Sequence, residues 1–434
     1  MRENVRVSLW GTTLGYLGYP PGQNSMATFE YDPDFMDSGI QIAPIHLNYP
    51  PAVFTFDRLS YKAFRGVPGF IADSLPDSYG NQLIDIYMAE KKVPPSEVST
   101  LDRLLYVADR GIGALEYHPG ESLPLQRTAL DLQHLAELVE MVLRSKEELH
   151  HKLLSTEDQA TALTMIRIGS SAGGARSKAL VALSSKGTLL DGTVNHGPNY
   201  RYWLLKFDTG VDKDRDKCDL KGMPVVEYIY SLIAREAGIE IPETRLLRAG
   251  EDRHFLIERF DRIKRDGKID KLHYASWAGL AHADRDGENS YEQLVLLARQ
   301  LKLGQAVVTE LFRRAVFNIL GRNQDDHTKN TGFLMDRSGS WRLAPAFDMT
   351  YAYDPLGDWT RNHQCRLNGK NNGFRLEDLM DFGAYCNLRE KESREIIHQV
   401  RDALDSFSRL AEKYELPFDL KETIEKNMRL NIVH

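Results

Sequence analysis

Apolar positions alternate at the start of the chain, with Val5, Val7 and Leu9 on one face of a predicted strand. Gly11 to Gly15 reads as a turn, and Tyr16-Leu17-Gly18 as the strand returning from it. Thr28 to Tyr31 fits a further strand. From Pro68 to Tyr87 the spacing turns helical around Leu75-Pro76-Asp77-Ser78, with Pro76 placed early, where a helix start tolerates proline. Gly111 to Tyr117 reads as a strand. Leu132, Leu135, Ala136, Val139, Val142 and Leu143 then share one helix face, and a polar stretch follows from Arg144 to His151. This pattern predicts a helix connecting two domains.

Beyond it, strands are predicted at Met165 to Gly169, Ala179 to Leu183, Tyr202 to Phe207 and His254 to Phe260. A helix from Val225 to Glu236 interrupts them, with Val226, Ile229, Leu232 and Ile233 on its apolar face and Gly238 as its stop. Helical spacing then dominates, over Tyr291 to Leu301, Val307 to Leu320 and several segments after Leu376. A β-rich lobe followed by a helical lobe is an α+β, bilobal layout with ligand space between the lobes. The expected divisions are a small α+β subdomain over 1–125, a connecting helix over 126–160, a β-rich lobe over 161–262 and a helical lobe over 263–434.

Composition narrows the function classes. The chain has 434 residues, 42% of them hydrophobic and 27% charged, which is ordinary for a globular protein of two to three domains. Its net charge of -7 argues against direct, general nucleic-acid binding, which draws affinity from Lys and Arg on phosphates. Cys218, Cys365 and Cys386 are scattered, with neither a disulfide framework nor zinc spacing, as expected in a reducing compartment. The N-terminus lacks a signal-peptide core, and no apolar run approaches the roughly 18 residues of a membrane span. The expected location is the cytoplasm, without a membrane partner.

Candidate chemistry concentrates in Asn323-Gln-Asp-Asp-His-Thr-Lys-Asn330 and Arg342-Leu-Ala-Pro-Ala-Phe-Asp348. Phosphoryl transfer needs one carboxylate to orient the attacking hydroxyl, and an amide oxygen plus a second carboxylate to hold magnesium against the phosphates. Asp325 fits the first role, with Asp326 as a competing base; Asn330 and Asp348 fit the second. Lys329 can neutralise charge developing on the γ-phosphate, and His327 can fix the loop through hydrogen bonds or serve as an acid–base group. A hairpin over Gly332 to Leu343 would bring Asp348 back against Asn330.

Upstream, Gly169-Ser170-Ser171-Ala172-Gly173-Gly174-Ala175-Arg176-Ser177-Lys178 is a small-residue turn whose backbone N–H groups could cradle ATP phosphates, with Lys178 adding charge. Lys206, inside an apolar strand, stands where a kinase holds the α- and β-phosphates, and Glu227 on the next helix could orient it. Each residue alone also fits a turn or surface role; their order along the chain points to an ATP-binding phosphotransferase.

With these residues in place, the sequence resembles the HipA family of bacterial serine/threonine toxin kinases over nearly its whole length. Asp325-x-His327-x-Lys329-Asn330 is similar to the family's catalytic loop, and Leu343-Ala-Pro-x-x-Asp348 to its second metal-binding segment. Ser171-x-x-Gly174-x-Arg176-x-Lys178 resembles its phosphate loop. Glu258-Arg-Phe-Asp-Arg262 resembles the link between lobes, which implies adenine contacts for Glu258 and Phe260. Leu75-Pro-Asp-Ser78 and Asp109-Arg-x-Ile-Gly-Ala114 resemble the N-terminal subdomain. The resemblance implies a Mg-ATP-dependent kinase acting on a protein substrate such as an aminoacyl-tRNA synthetase. It also implies a helix-turn-helix antitoxin partner and autophosphorylation, by position at Ser171. The chain departs from the family at Gly173, where some members have a second serine, and at Arg176, where Gln is common; Ser170 and Ser177 flank the expected phosphoacceptor. Two other functions stay open: a small-molecule or lipid kinase, and a nucleotide-binding regulatory scaffold for a DNA-binding partner. The role of the loop from Asp354 to Phe374 is undecided between a substrate lip and a solvated loop.

Overall fold

A computed structural model of the chain describes residues 4–23, 25–49, 51–121, 129–144, 159–170, 176–209, 213–214, 217–218 and 220–433. The first five strands are β1 (Asn4–Leu9), β2 (Thr12–Gly18), β3 (Thr28–Tyr31), β4 (Val53–Thr55) and β5 (Leu115–His118). They form one antiparallel sheet in the order β4-β3-β2-β1-β5. Val5, Val7 and Leu9 point into its core with Leu14, Leu17 and Phe29, as their alternation predicts. The first turn is tighter than predicted. Leu9 pairs with Thr12, so only Trp10 and Gly11 lie between the strands, with φ of 52° and 83°. Two left-handed residues make the hairpin whose twist matches its strands. β5 is also shorter than predicted, because Gly111 to Ala114 forms a turn that meets the second half of the chain.

The next strands are β6 (Lys178–Ser184), β7 (Leu189–Asp191), β8 (Tyr200–Lys206), β9 (Thr244–Ala249) and β10 (Asp252–Glu258). They build a second antiparallel sheet in the order β9-β10-β8-β6-β7. Three helices share a core with it: α1 (Ser78–Glu90), α2 (Leu132–Arg144) and α3 (Gln159–Ser170). Leu83 and Ile84 of α1, Leu135 and Val139 of α2, and Met165 and Ile168 of α3 meet Val181, Trp203 and Leu205 there.

This arrangement corrects three expectations. Met165 to Gly169 belongs to a helix rather than a strand. Met165, Ile166 and Ile168 are fully buried and Arg167 between them is buried too, so no exposed face marks a period, and a short apolar run does not distinguish helix from strand. The helix from Leu132 is packed into the core of the second sheet instead of bridging two domains. Pro76 precedes α1 rather than lying inside it. Asp77 is the N-cap, its carboxylate accepting the Gly80 N–H at 2.6 Å.

The remaining chain is mainly helical. α4 (Met223–Glu236) packs against β10, and α5 (Tyr291–Gln300) and α6 (Gly304–Leu320) join the helices after Leu376 in one large core containing Phe312, Phe317 and Phe382. A small sheet of β11 (His273–Ser276), β12 (Gly332–Met335) and β13 (Trp341–Leu343) includes the predicted hairpin. The result is a bilobal, protein-kinase-like fold preceded by an α+β subdomain. Among the described residues no helix is long and apolar enough to cross a membrane.

Two carboxylates join the first subdomain to the rest. Asp73 accepts the Ser276 N–H and hydroxyl, both at 2.7 Å. Asp261 accepts the Gly113 N–H at 2.7 Å, while Arg259 and Arg262 donate to both this carboxylate and the Gly111 carbonyl. Burial alone would raise the Asp261 carboxyl, but the two guanidiniums hold it well below the usual carboxylate range.

Candidate active site

A cleft of about 1070 Å³ lies between the second sheet, the helical lobe and the first subdomain. Its sheet side carries two lysines. Lys178 opens β6 and Lys206 closes β8, and the two are direct partners across the ladder. Lys178 therefore stands on a strand instead of within the turn. Its ammonium is 2.8 Å from the Asp77 carboxylate, an acid supplied by the first subdomain. The Lys206 ammonium is 2.6 Å from Glu227 on α4 and also contacts Asp348. Burial would lower the Lys206 ammonium, yet these two carboxylates outweigh it and raise it, so it stays charged.

The loop side leaves the rigid end of α6, where the Gly321 carbonyl accepts the Tyr230 hydroxyl at 2.7 Å. Arg322 turns the chain with a φ of 56°. Asn323 then links its neighbours, donating to the Asn318 side chain at 2.9 Å and to the Asp348 carbonyl at 3.4 Å. Asp348 is also left-handed, with a φ of 53°. Burial pushes its carboxyl up, but Lys206, helped by Lys178 and Arg176, holds it below the ordinary range.

Within the loop, the Asn330 side-chain NH2 donates to the Asp325 carbonyl at 2.7 Å. That bond fixes the amide and leaves its oxygen for the cleft. Asp325, Asn330 and Asp348 all line that cleft. An amide oxygen and a carboxylate are hard donors of the sparse kind magnesium uses beside phosphates, so the residues present fit that ion. Among the described residues no group of three or more His, Cys, Asp or Glu forms a self-sufficient metal cage.

His327 is a loop organiser. The Lys329 N–H donates to its Nδ1 at 3.1 Å, and its carbonyl accepts the Asn330 N–H at 2.9 Å. Burial, reinforced by Arg285, drives the imidazole well below its ordinary value, so it is neutral with its proton on Nε2. That nitrogen is 3.6 Å from Asp325.

The two adjacent acids separate cleanly. Asp325 lines the cleft, and burial raises its carboxyl. Asp326 turns away into the helical lobe. It accepts Tyr291 Oη at 2.5 Å, His363 Nδ1 at 2.7 Å and the Gln364 N–H at 2.7 Å. With these acceptor positions used, Asp326 is an anchor for the 363–365 segment and drops out as a competing base.

Glu258 and Phe260 line the cleft from the end of β10. Glu258 takes Arg201 Nε at 2.7 Å, and Phe260 packs 5.6 Å from the Phe347 ring. Arg259 and Asp261, which line the same cleft, also grip the first subdomain. Ser170, the last residue of α3, is fully buried with its hydroxyl 3.5 Å from the Arg167 carbonyl. Ser171, Ala172, Gly173, Gly174 and Ala175 lie outside the described residues. Sequence reasoning missed the roles of Asp73 and Asp77 in the cleft wall, and of Arg285 beside Asp325. No local pattern signals contacts this distant in sequence.

A bilobal fold with these side chains gathered in its cleft defines a protein of the kinase-like class. Residues 170–407 match the HipA-like C-terminal domain and residues 5–118 the HipA N-terminal domain. The chain belongs to the HipA family of kinases. Two relatives bear provisional kinase names. One, from Haemophilus influenzae, is 30% identical over 28% of this chain and 39% of its own length. The other, Y4dM from Sinorhizobium fredii, is 26% identical over 46% of this chain and 51% of its own. The chain thus spans about half or less of these relatives. The HipA toxin of Shewanella oneidensis, solved with HipB and operator DNA, has a similar fold, with a TM-score of 0.66 and 16% identity across 97% of this chain and 94% of that one.

Proposed function

We propose that this chain transfers the γ-phosphate of Mg-ATP to a serine or threonine of a protein. The observation that carries this reading is the Lys206 ammonium held between Glu227 and Asp348, in a cleft also lined by Asp325 and Asn330. Lys206 would hold the inner phosphates, Asp325 would orient the acceptor hydroxyl and take its proton, and Lys329 would offset charge on the transferring group. Asn330 and Asp348 would hold magnesium, which neutralises phosphate charge when bound. Glu258 and Phe260 would border the adenine, and Lys178 with the small-residue sequence 171–175 would serve the phosphates.

Family membership supports autophosphorylation at Ser171. A phosphate there adds about -1.5 to -2 charges where ATP phosphates must sit, which would shut the site. The substrate proposed is an aminoacyl-tRNA synthetase. The partner proposed is a HipB-like helix-turn-helix antitoxin, which would supply the DNA contact that the acidic charge of this chain disfavours. The location proposed is the cytoplasm.

Intact-mass measurement before and after Mg-ATP, beside Asp348→Asn, tests the reading. Added phosphate mapping to Ser171 in the parent chain and absent from the variant is the expected result. No phosphate and no nucleotide binding would overturn it.

A further inference from the structure

Asp325 is approached from an unforeseen direction. Trp359, in the loop after Asp348, donates its indole N–H to Asp325 Oδ1 at 2.6 Å. The Arg285 guanidinium lies over the Trp359 ring, 4.7 Å from its centroid, and reaches the same carboxylate oxygen at 3.9 Å. His327 Nε2 is a third neighbour of Oδ1 at 3.6 Å. Among the described residues, no hydrogen bond reaches Oδ2. The loop carrying Trp359 is itself secured. The Thr360 carbonyl accepts Gln324 Nε2 at 3.0 Å, and the Trp359 carbonyl accepts Gln364 Nε2. Gln364 in turn donates its N–H to Asp326.

A carboxylate acting on a hydroxyl must present one oxygen in a fixed direction. Here Trp359, Arg285 and His327 all converge on Oδ1, and among the described residues Oδ2 is the oxygen without a hydrogen bond. We propose that Trp359 and Arg285 are positioning residues for Asp325: the indole N–H fixes one carboxylate oxygen, and the stacked guanidinium holds the indole in place. This rests on the kinase reading above. The loop following Asp348 is then part of the reaction geometry, and anything that lifts it, such as a docking protein, would release Asp325.

The test uses Trp359→Phe, which keeps an aromatic ring under Arg285 and removes the indole donor. Transfer from [γ-32P]ATP into the chain's own serines should fall on the order of tenfold in kcat, with KM for ATP unchanged. Arg285→Gln should lower kcat in the same way, with KM for ATP again unchanged. An independent readout comes from 15N-indole spectra, since the chain has only five tryptophans. The signal lost in Trp359→Phe should shift in Asp325→Asn. Unchanged kcat in Trp359→Phe, with active parent protein, would overturn the positioning role alone. A fall in kcat matched by lost ATP binding would also overturn it, as a purely structural effect. If the parent transfers no phosphate while the indole signal still reports Asp325, the kinase reading fails and the contact is structural.

Discussion

Lys178 and Lys206 face each other across neighbouring antiparallel strands, and each ammonium is held by an acid from elsewhere in the chain. Asp77 takes one at 2.8 Å and Glu227 takes the other at 2.6 Å. The pairing lets two cations border one cleft without an unpaired buried charge.

Asp77 serves two ends of this arrangement, since it also caps α1. Asp77→Ala should cost roughly 3–5 kcal/mol by removing the carboxylate paired with a buried lysine and uncapping a helix end. Asp77→Asn keeps an acceptor for the cap and should cost less. Urea unfolding followed by far-ultraviolet circular dichroism gives both values, and equal losses would contradict the double role.

The neighbouring acids should separate by phenotype. Asp325→Asn should lower phosphate transfer on the order of a hundredfold or more with an unfolding midpoint close to the parent's. Asp326→Asn should destabilise by about 2–3 kcal/mol, because its amide nitrogen cannot accept from Tyr291, His363 and the Gln364 backbone together. Rates and midpoints measured on both variants decide it; the reverse pattern would make Asp326 the base.

Acid should loosen the first subdomain. The Asp261 carboxyl lies below its ordinary value of 3.8 in the folded chain. A depressed carboxylate contributes stability that is complete above the unfolded value and lost as pH falls through the folded one. Between pH 5 and roughly 2.5 the parent should therefore lose stability that Asp261→Asn lacks from the outset. Proteolysis around Gly111, followed across that range, reads the undocking; identical pH dependence in both proteins would remove Asp261 as its source.

His327 should not contribute a protonation limb near neutrality, because its imidazole titrates well below 6.5. His327→Asn can supply an acceptor for the Lys329 N–H, and His327→Ala cannot. The asparagine variant should retain on the order of tenfold more activity. Equal activity would show that the loop does not depend on this bond.

Much of the candidate site was legible because its parts follow strong local patterns. The Lys206 strand is a short apolar run, the Glu227 helix has an apolar stripe, and α6 ends at a glycine before the Asp325 loop. The N-terminal alternation of Val5, Val7 and Leu9 likewise marks a sheet face. What stayed hidden depends on contacts between distant segments. Met165 to Gly169 is helical because apolar surfaces surround it, which no window of that length records. Asp77 looks like a helix cap, and only the fold brings Lys178 to it. Glu258 to Arg262 reads as one motif, and only the fold shows Arg259, Asp261 and Arg262 gripping the first subdomain at Gly111 and Gly113. Trp359 stands in a stretch rich in glycine and asparagine, where nothing local distinguishes it from a solvated aromatic.

The Asn330 amide divides its work between its two ends. The nitrogen closes the loop onto the Asp325 carbonyl, and the oxygen is what remains to face the cleft. Aspartate at this position would add charge toward a cation but lose the donor that shapes the loop, and alanine would lose both. Under the proposed reading, ion affinity and loop geometry would be coupled through one side chain, and neither aspartate nor alanine would adjust one without disturbing the other.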